Sequence, residues 1–256
     1  MRVIACCKAA PEEQDIVVNG DGTLSFERAA WKFGSYDLNA VEAGRQLVEQ
    51  VGGEVIGLTV GGEALASAKL RKDIISRGLD SLNIVTVAGS AVPDTLQTAQ
   101  LLAAGLGKVG SYDLVLCGAG SSDEYTQQVG NQLGALLGIP TLNAINSITP
   151  NGTTVTVERV LENEVQTLEV TLPAVLSLTS GANTPRIAGM KDILAAGKKE
   201  TTETTAAALG VDTTTVSAQV SSVVAPKQTA RQRTILEGDV AEVTTKLIEL
   251  IGADLR

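Results

Sequence analysis

The first 140 residues alternate four times between a short apolar segment, typical of a buried strand, and a longer segment with helical periodicity. The predicted strands are residues 2–7, 54–60, 81–87 and 112–117. The helices that follow them are predicted at 37–48, 63–77, 93–108 and 123–137. A connection of this length between parallel strands is right-handed, so the order predicts an α/β fold with a doubly wound parallel sheet.

The composition favours a sheet that is buried on both faces. Hydrophobic residues make up 44% of the 256 residues, but aromatic residues only 2%. The core must therefore consist mainly of Val, Ile, Leu and Ala, which suits parallel strands with helices on each side. A chain of this length can bury a sizeable core.

The composition also excludes several classes of function. The chain contains no histidine, which removes the commonest general base and the commonest metal ligand. We therefore predict no catalytic residues and no metal site. The net charge of −9 argues against a nucleic-acid partner, because binding to phosphates needs cationic side chains.

Cysteine usage and hydropathy predict a soluble protein of the cytoplasm. Cys6, Cys7 and Cys117 are too few and too unevenly spaced for a disulfide framework, and they are typical of buried apolar side chains in a reducing compartment. Adjacent Cys6 and Cys7 are expected on opposite faces of a strand. No signal peptide is evident, and no apolar run reaches the ~20 residues of a membrane span.

From Thr141 onward the pattern changes. Residues 153–157, 165–172 and 174–179 alternate with a period of two residues, which predicts antiparallel strands added to the same sheet. These strands complete a predicted nucleotide-binding body of residues 1–199.

Residues 200–256 are predicted to form an extended arm. Residues 200–224 hold too few large apolar side chains for a core, with one short helical segment near 203–209. A terminal helix at 239–251 carries one apolar stripe, formed by Val240, Val243, Leu247 and Ile251. An arm with such a stripe and little core of its own is expected to pack on another subunit.

The loop after the fourth strand is the best candidate for a ligand site, because ligands of open parallel sheets bind beyond the carboxyl ends of the strands. Its glycines let the backbone approach a ligand, and its hydroxyl groups and the start of the next helix can hold an anion. Two glutamines further along can bind adenine or ribose. These residues are Gly118, Gly120, Ser121, Ser122, Gln127 and Gln128.

Purely structural interpretations of these residues remain open. A glycine-rich loop can simply end a strand, and the chain has no G-x-x-x-x-G-K-[ST] phosphate loop. Asp123 and Glu124 are candidates for acid–base work, but favourable charge at a helix start is the simpler interpretation. The basic pair Lys198 and Lys199 either binds an acidic partner or is a solvated helix end.

Several segments together resemble one protein family. An acidic, strand-forming segment runs into Pro-x-aliphatic-aliphatic-small, and its key positions are Val157, Arg159, Glu162, Glu164, Gln166, Leu168, Pro173, Val175, Leu176 and Ser177. Further matching segments follow one another in order at 11–16, 35–43, 60–62, 71–73, 121–123, 127–130 and 225–228. This pattern resembles the β subunit of electron-transfer flavoproteins, and most of all the Fix-type branch associated with carnitine reduction and nitrogen fixation.

The resemblance implies an electron carrier rather than an enzyme with its own substrate turnover. The β subunit of that family pairs with an α subunit, which holds most of the redox FAD, and binds AMP or a second FAD in its own pocket. Electrons pass through it between acyl-CoA dehydrogenase-like or other flavin or iron–sulfur partners. The pocket residues that the resemblance implies are Cys6, Gly34, Ser35, Tyr36, Asp37, Val60, Asp123, Glu124, Gln127, Gln128, Val129 and Gly130.

The resemblance also implies that residues 181–199 are a partner-recognition loop. Met190 stands where the family places an apolar anchor, and the other residues expected to contact partners are Pro185, Arg186, Lys198 and Lys199. A flexible apolar side chain on a loop suits transient docking of several partners.

Two other functions are compatible with such a fold. One is a stand-alone adenine-nucleotide-binding or nucleotide-hydrolysing protein, and the other is a structural subunit whose arm completes a complex. The loop after the first strand begins Lys8-Ala9-Ala10-Pro11 rather than Ser-Gly-Gly-x-Asp-Ser, which argues against an ATP pyrophosphatase.

Overall fold

The computed structural model describes residues 1–88, 93–214, 218, 220–227 and 233–252. In chain order, the strands are β1 (Arg2–Cys7), β2 (Ala9–Pro11), β3 (Val17–Val18), β4 (Leu24–Ser25), β5 (Trp31–Phe33), β6 (Glu54–Gly61), β7 (Ser81–Thr86), β8 (Leu114–Gly118), β9 (Thr141–Asn151), β10 (Thr154–Val160), β11 (Val165–Thr171), β12 (Ala174–Leu178) and β13 (Thr201–Thr205). The helices are α1 (Ser35–Val51), α2 (Ala68–Ser76), α3 (Thr95–Val109), α4 (Val129–Leu137), α5 (Met190–Ala196) and α6 (Val240–Ile251).

One nine-stranded sheet organises the molecule, in the order β11-β10-β9-β12-β8-β1-β6-β7-β13. The strands from β9 to β13 in this order are parallel, and the antiparallel pairs of this sheet are β9–β10 and β10–β11. The chain starts at β1, moves outward through β6 and β7, and then returns to β8 on the other side of β1. This reversal confirms the doubly wound sheet and places its switch point between β1 and β8.

Helices cover both faces of the sheet. One core contains buried side chains of α1, α2 and α5, and the other contains those of α3 and α4. Cys7 belongs to the first core and Cys6 to the second, which confirms that the two side chains point to opposite faces of β1. Large aliphatic side chains such as Ile4, Leu58 and Leu114 fill both layers.

The strands after residue 140 differ from the sequence prediction. β12 was expected to be antiparallel, but it lies parallel between β8 and β9 and all of its residues are buried. β9 was not predicted, because its polar and half-buried residues lack a clear alternation. The antiparallel prediction is correct for β10 and β11 alone, which extend the sheet beyond β9.

The start of the expected arm belongs to the sheet. Residues 201–205 form strand β13, parallel to β7, where a short helical segment was expected near 203–209. A single turn of 3-10 helix follows at Ala207–Leu209. The sequence is too polar to predict this strand, because backbone pairing and the ion pair between Arg71 and Glu203 stabilise it instead of apolar burial. The boundary predicted at residue 199 therefore lies before the last strand of the sheet.

The terminal helix forms where it was predicted. The side chain of Asp239 accepts a hydrogen bond from the backbone N–H of Glu242 at 2.9 Å and caps α6. No residue of Val240–Ile251, which the structure describes in full, is buried. Upstream, Val224 pairs with Thr23 of the β3–β4 hairpin, while Gln228 lies outside the described residues. None of the described helices is both long enough and apolar enough to cross a membrane.

Candidate functional site

Asp37 lies at the switch point of the sheet. Its Oδ2 accepts a hydrogen bond from the backbone N–H of Lys8 at 2.8 Å, and the backbone N–H of Gly118 donates another to its carboxylate. The side chain is buried, and this desolvation raises the pKa of Asp37 to about 7 although both hydrogen bonds oppose the shift. Asp37 was expected to cap a helix, but α1 begins at Ser35 and Gly34 is its N-cap. Its carboxyl group instead joins the ends of β1 and β8.

Lys8 fastens the loop after β8 to the end of β1. Its ammonium group lies 2.8 Å from a carboxylate oxygen of Asp123 and 3.5 Å from one of Glu124. Burial acts to raise the pKa of Asp123, but hydrogen bonds from Lys8 and Ser121 prevail and lower it. The two acidic residues do not lie at a helix start, since α4 begins only at Val129. Lys8 was not among the predicted site residues, although its position one residue beyond β1 could have indicated it.

A cleft of about 230 Å³ opens beside this loop, at the carboxyl ends of β8 and β12 and beside the first half of β9. Its lining residues are Tyr36, Ala119, Tyr125, Gln127, Asn143, Ala144, Thr179 and Ser180. The rings of Tyr36 and Tyr125 contact each other with their centroids 5.4 Å apart. The cleft thus combines aromatic surface with amide and hydroxyl groups, as ligand sites commonly do.

The walls of the cleft contain unusual backbone conformations. Tyr125, Gln127 and Ala144 have φ values of 48°, 58° and 58°, in the left-handed region that non-glycine residues rarely adopt. They are three of the four such residues in the described ranges. Backbone strain of this kind clusters at binding sites, where the surrounding structure holds it in place.

Arg159 shapes the wall that strand β9 contributes. Its guanidinium donates hydrogen bonds to the backbone oxygen of Asn143 at 3.0 Å and to the side-chain oxygen of Asn143 at 2.5 Å. The pairing of β9 with β10 shifts by one residue beside Arg159, and the pairing with β12 shifts near Ile145. These bulges direct Asn143 and Ala144 toward the cleft. Neither residue was predicted as part of the site, because β9 was not predicted.

Two glycines make close approaches in this region. A Cβ at Gly118 would lie 2.5 Å from a carboxylate oxygen of Asp37 and 2.8 Å from Cβ of Tyr36. A Cβ at Gly120 would overlap the ring of Tyr125. The sequence predicted that a ligand would approach the backbone at these two glycines. In the structure, the side chains of Asp37, Tyr36 and Tyr125 occupy that space instead.

A comparison with known families agrees with this geometry. Residues 22–209 match the Electron transfer flavoprotein domain. The chain belongs to the electron transfer flavoprotein family. The matched residues include Asp37 and every residue that lines the cleft, although β1 lies before them, and the match supports a role in electron transport.

The structure brings only part of the expected nucleotide pocket of this electron transfer flavoprotein together. Gly34, Tyr36, Asp37 and the loop from Gly118 to Gln127 gather around the cleft and the switch point, with Ser122 Oγ close to Gly34. The exposed side chain of Ser35 opens α1 beside them. Gln128 precedes α4, and its side-chain oxygen accepts a hydrogen bond from Thr95 Oγ1 at 2.9 Å.

Other expected pocket residues of the family lie deeper. Cys6 is buried in the core beneath α3 and α4, and its hydrogen bond with Cys117, together with burial, raises the pKa of its thiol. Val60 packs against the same core. In the first turn of α4, Val129 is half-buried, and Gly130 leaves no room for a side chain beside Ser177.

The expected partner-recognition residues have different surroundings. Met190 and Lys198 are exposed, whereas Pro185 is half-buried. Arg186 forms ion pairs with Glu42 and Glu49 of α1, and the ammonium group of Lys199 donates a hydrogen bond to the backbone oxygen of Leu79. Within the described residues, no cluster of acidic or cysteine side chains could hold a metal ion.

Proposed function

We propose that this chain is the β subunit of a heterodimeric electron-transfer flavoprotein of the Fix-type branch. The observation that carries the proposal is the cleft at the carboxyl edge of the sheet, inside a domain of the electron transfer flavoprotein family. The acidic segment at 157–177, whose Arg159 orients a wall of that cleft, supports the β-subunit assignment. The protein acts in the cytoplasm and shuttles electrons between dehydrogenases and reductases.

The cleft fits an adenine nucleotide, either AMP or a second FAD. Tyr36 and Tyr125 offer ring faces for stacking, and the amides of Gln127 and Asn143 offer hydrogen bonds to a base or ribose. The hydroxyl groups of Thr179 and Ser180 favour the same class of ligand. The Lys8 ammonium is already paired with Asp123, so backbone N–H and hydroxyl groups would hold the phosphate.

The redox FAD is held mainly by the α subunit. FAD supplies the electron-transfer chemistry, while the protein supplies position and electrostatics. Such a role needs no general base, so a chain without histidine can perform it. Residues 181–199 would contact acyl-CoA dehydrogenase-like or other flavin or iron–sulfur partners through Met190.

The α subunit would cover helix α6. The apolar side chains of Val240, Leu247 and Ile248 are exposed, with Leu247 exposed to 43%. Their spacing puts them on one face of α6, which the described residues leave without a cover. A partner that packs on this face and on the arm would bury it.

Co-expression with the α subunit tests the proposal. We expect a yellow complex whose denatured supernatant yields FAD, together with AMP or a second FAD for the β pocket, by mass spectrometry. Leu247→Glu should prevent co-purification of the α subunit without changing the unfolding midpoint of the isolated chain. Glu249→Ala, on the opposite face of α6, is the matched control and should keep the complex. A complex without flavin or nucleotide, or steady ATP turnover by the isolated chain, would contradict the proposal.

A further inference from the structure

Helix α1 carries a polar stripe that does not face the sheet. Asn39, Glu42, Gln46 and Glu49 follow one another at helical spacing along the face opposite the core. Asn39 and Glu42 are nonetheless buried, and Glu42 is only 5% exposed. A charged side chain buried to this extent needs a specific partner.

The loop between β12 and α5 covers this stripe. Asn39 donates a hydrogen bond from Nδ2 to the backbone oxygen of Asn183 at 2.8 Å, and Asn183 Nδ2 donates one to the backbone oxygen of Asn39 at 3.0 Å. Three residues later, Arg186 reaches Glu42 through Nε at 2.7 Å and through a terminal nitrogen at 3.1 Å. The backbone N–H of Arg186 donates to the same carboxylate at 3.2 Å. Both side chain and backbone of Arg186 are thus fixed to α1.

A second carboxylate completes the pairing. Glu49 accepts hydrogen bonds from the remaining terminal nitrogen of Arg186, Nη1, at 2.9 Å and from Nη2, which also donates to Glu42, at 3.3 Å. Hydrogen bonds to Glu42 and Glu49 raise the pKa of Arg186, and the hydrogen bond from Arg186 lowers the pKa of Glu49. Arg186 and Glu49 therefore keep their charges at neutral pH. A guanidinium engaged by two carboxylates has little charge left to attract an acidic partner.

The residues next to this pairing are strongly exposed and apolar. Ile187 directly follows Arg186 and is 91% exposed, and Met190 is 74% exposed. An exposed loop of this kind would move freely unless something restrained its backbone, and ordering it on binding would weaken the complex. The ion pairs of Arg186 restrain the backbone one residue before Ile187.

We propose that Arg186 is a positioning residue, whose ion pairs with Glu42 and Glu49 hold Ile187 and Met190 in a preordered apolar contact surface for the redox partner. The nature of that partner rests on the proposed function, but the ordering of the loop does not. Arg186 thus acts through its neighbours, and Ile187 joins Met190 as a contact residue that the sequence pattern did not indicate. The carboxylate that holds the loop lies on α1, more than a hundred residues away in the chain.

Hydrogen–deuterium exchange on the full chain tests the restraint. Arg186→Met and Glu42→Met should each speed exchange of amides in residues 183–189 by at least about tenfold, while amides of β12 keep their rates. Lys191→Met removes one positive charge from the same segment without breaking a described ion pair, and should leave exchange unchanged. The double variant Glu42→Met/Arg186→Met leaves no buried unpaired charge, so it controls for loss of global stability. Unchanged exchange in Glu42→Met would overturn the proposal.

Electron transfer separates positioning from direct contact. With an acyl-CoA dehydrogenase that reduces the wild-type complex, Glu42→Met and Arg186→Met should both lower the second-order rate by about tenfold at unchanged flavin content. Because Glu42 is buried, it cannot touch the dehydrogenase. A slow Arg186→Met complex beside a fully active Glu42→Met complex would make Arg186 a direct contact and overturn the proposal. A complex that holds no flavin would contradict the proposed function instead, and the exchange rates would still decide the role of Arg186.

Discussion

Asp37 holds the two halves of the sheet together where they diverge. Its carboxyl group accepts hydrogen bonds from backbone N–H groups at the ends of β1 and β8, whereas the nearby Lys8 ammonium pairs with Asp123. The loss of hydration on burial therefore outweighs the hydrogen bonds, and the pKa of Asp37 rises to about 7. A single buried side chain thus links the position of the loop after β8 to the ionisation of one carboxyl group.

This pKa predicts how stability depends on pH. Because the folded-state pKa of about 7 lies above the ordinary aspartate pKa of 3.8, the folded protein binds one more proton than the unfolded chain between these pH values. The unfolding free energy should therefore fall as pH rises from about 4 to 7, by at most about 1.4 kcal/mol per pH unit for this group. Above pH 7 this contribution is lost. Urea unfolding from pH 4 to 8 should show a shallower decline for Asp37→Asn, and equal slopes for both proteins would contradict the prediction.

At the scale of elements, contacts from outside an element decide where it begins. The residues from Asp123 to Gln128 have a composition compatible with a helix, yet α4 starts only at Val129. Lys8 binds Asp123, and the positive φ values of Tyr125 and Gln127 are incompatible with a right-handed helix. The loop therefore stays open beside the cleft, where its side chains are available to a ligand.

Two glycines in neighbouring elements should respond oppositely to alanine. At Gly118 in β8, a methyl group would overlap Asp37 and Tyr36, so Gly118→Ala should cost about 1–3 kcal/mol of unfolding free energy and reduce nucleotide binding. At Gly107 inside α3, a Cβ would meet nothing within 4 Å. Gly107→Ala should therefore stabilise the protein by about 0.5–1 kcal/mol. Denaturant unfolding of both variants checks this. An unchanged unfolding free energy for Gly118→Ala would show that Asp37 and Tyr36 can move aside to accept a methyl group.

Local pattern predicted some elements well and others poorly. The buried strand β1 and the helix α3, with Asp94 at its N-cap, have strong local signals and form as predicted. β9 and β13 have weak apolar alternation, because bulges and an exposed sheet edge shape them. In the candidate site, Tyr36 and Gln127 were predicted, but the opposite wall from β9 and the loop after β12 was not.

At the scale of the whole molecule, the two edges of the sheet differ. β10 and β11 extend one edge as an antiparallel pair, and β13 closes the other edge against β7. The turn after β13 adds Ala206, which is buried in the core beside α3. Without β13, the backbone groups of β7 would form an open edge that invites aggregation.

Shortened chains test the extent of the folded unit. A chain of residues 1–210 keeps β13 and Ala206, so it should unfold cooperatively as a monomer. A chain of residues 1–199 loses β13 and the ion pair between Arg71 and Glu203, and it should aggregate. Light scattering and thermal unfolding would distinguish them, and equally stable monomers would show that β13 is dispensable.

By itself, the sequence determined the class of fold and the family resemblance. Strand and helix alternation, aliphatic composition and the absence of histidine are local or global properties that can be read without knowing which segments meet. Tertiary structure alone decided that Tyr36 meets Asn143 across one cleft, and that Arg186 binds Glu42. The reason is that these contacts join segments about a hundred or more residues apart, whose meeting depends on strand order and bulges rather than on local periodicity.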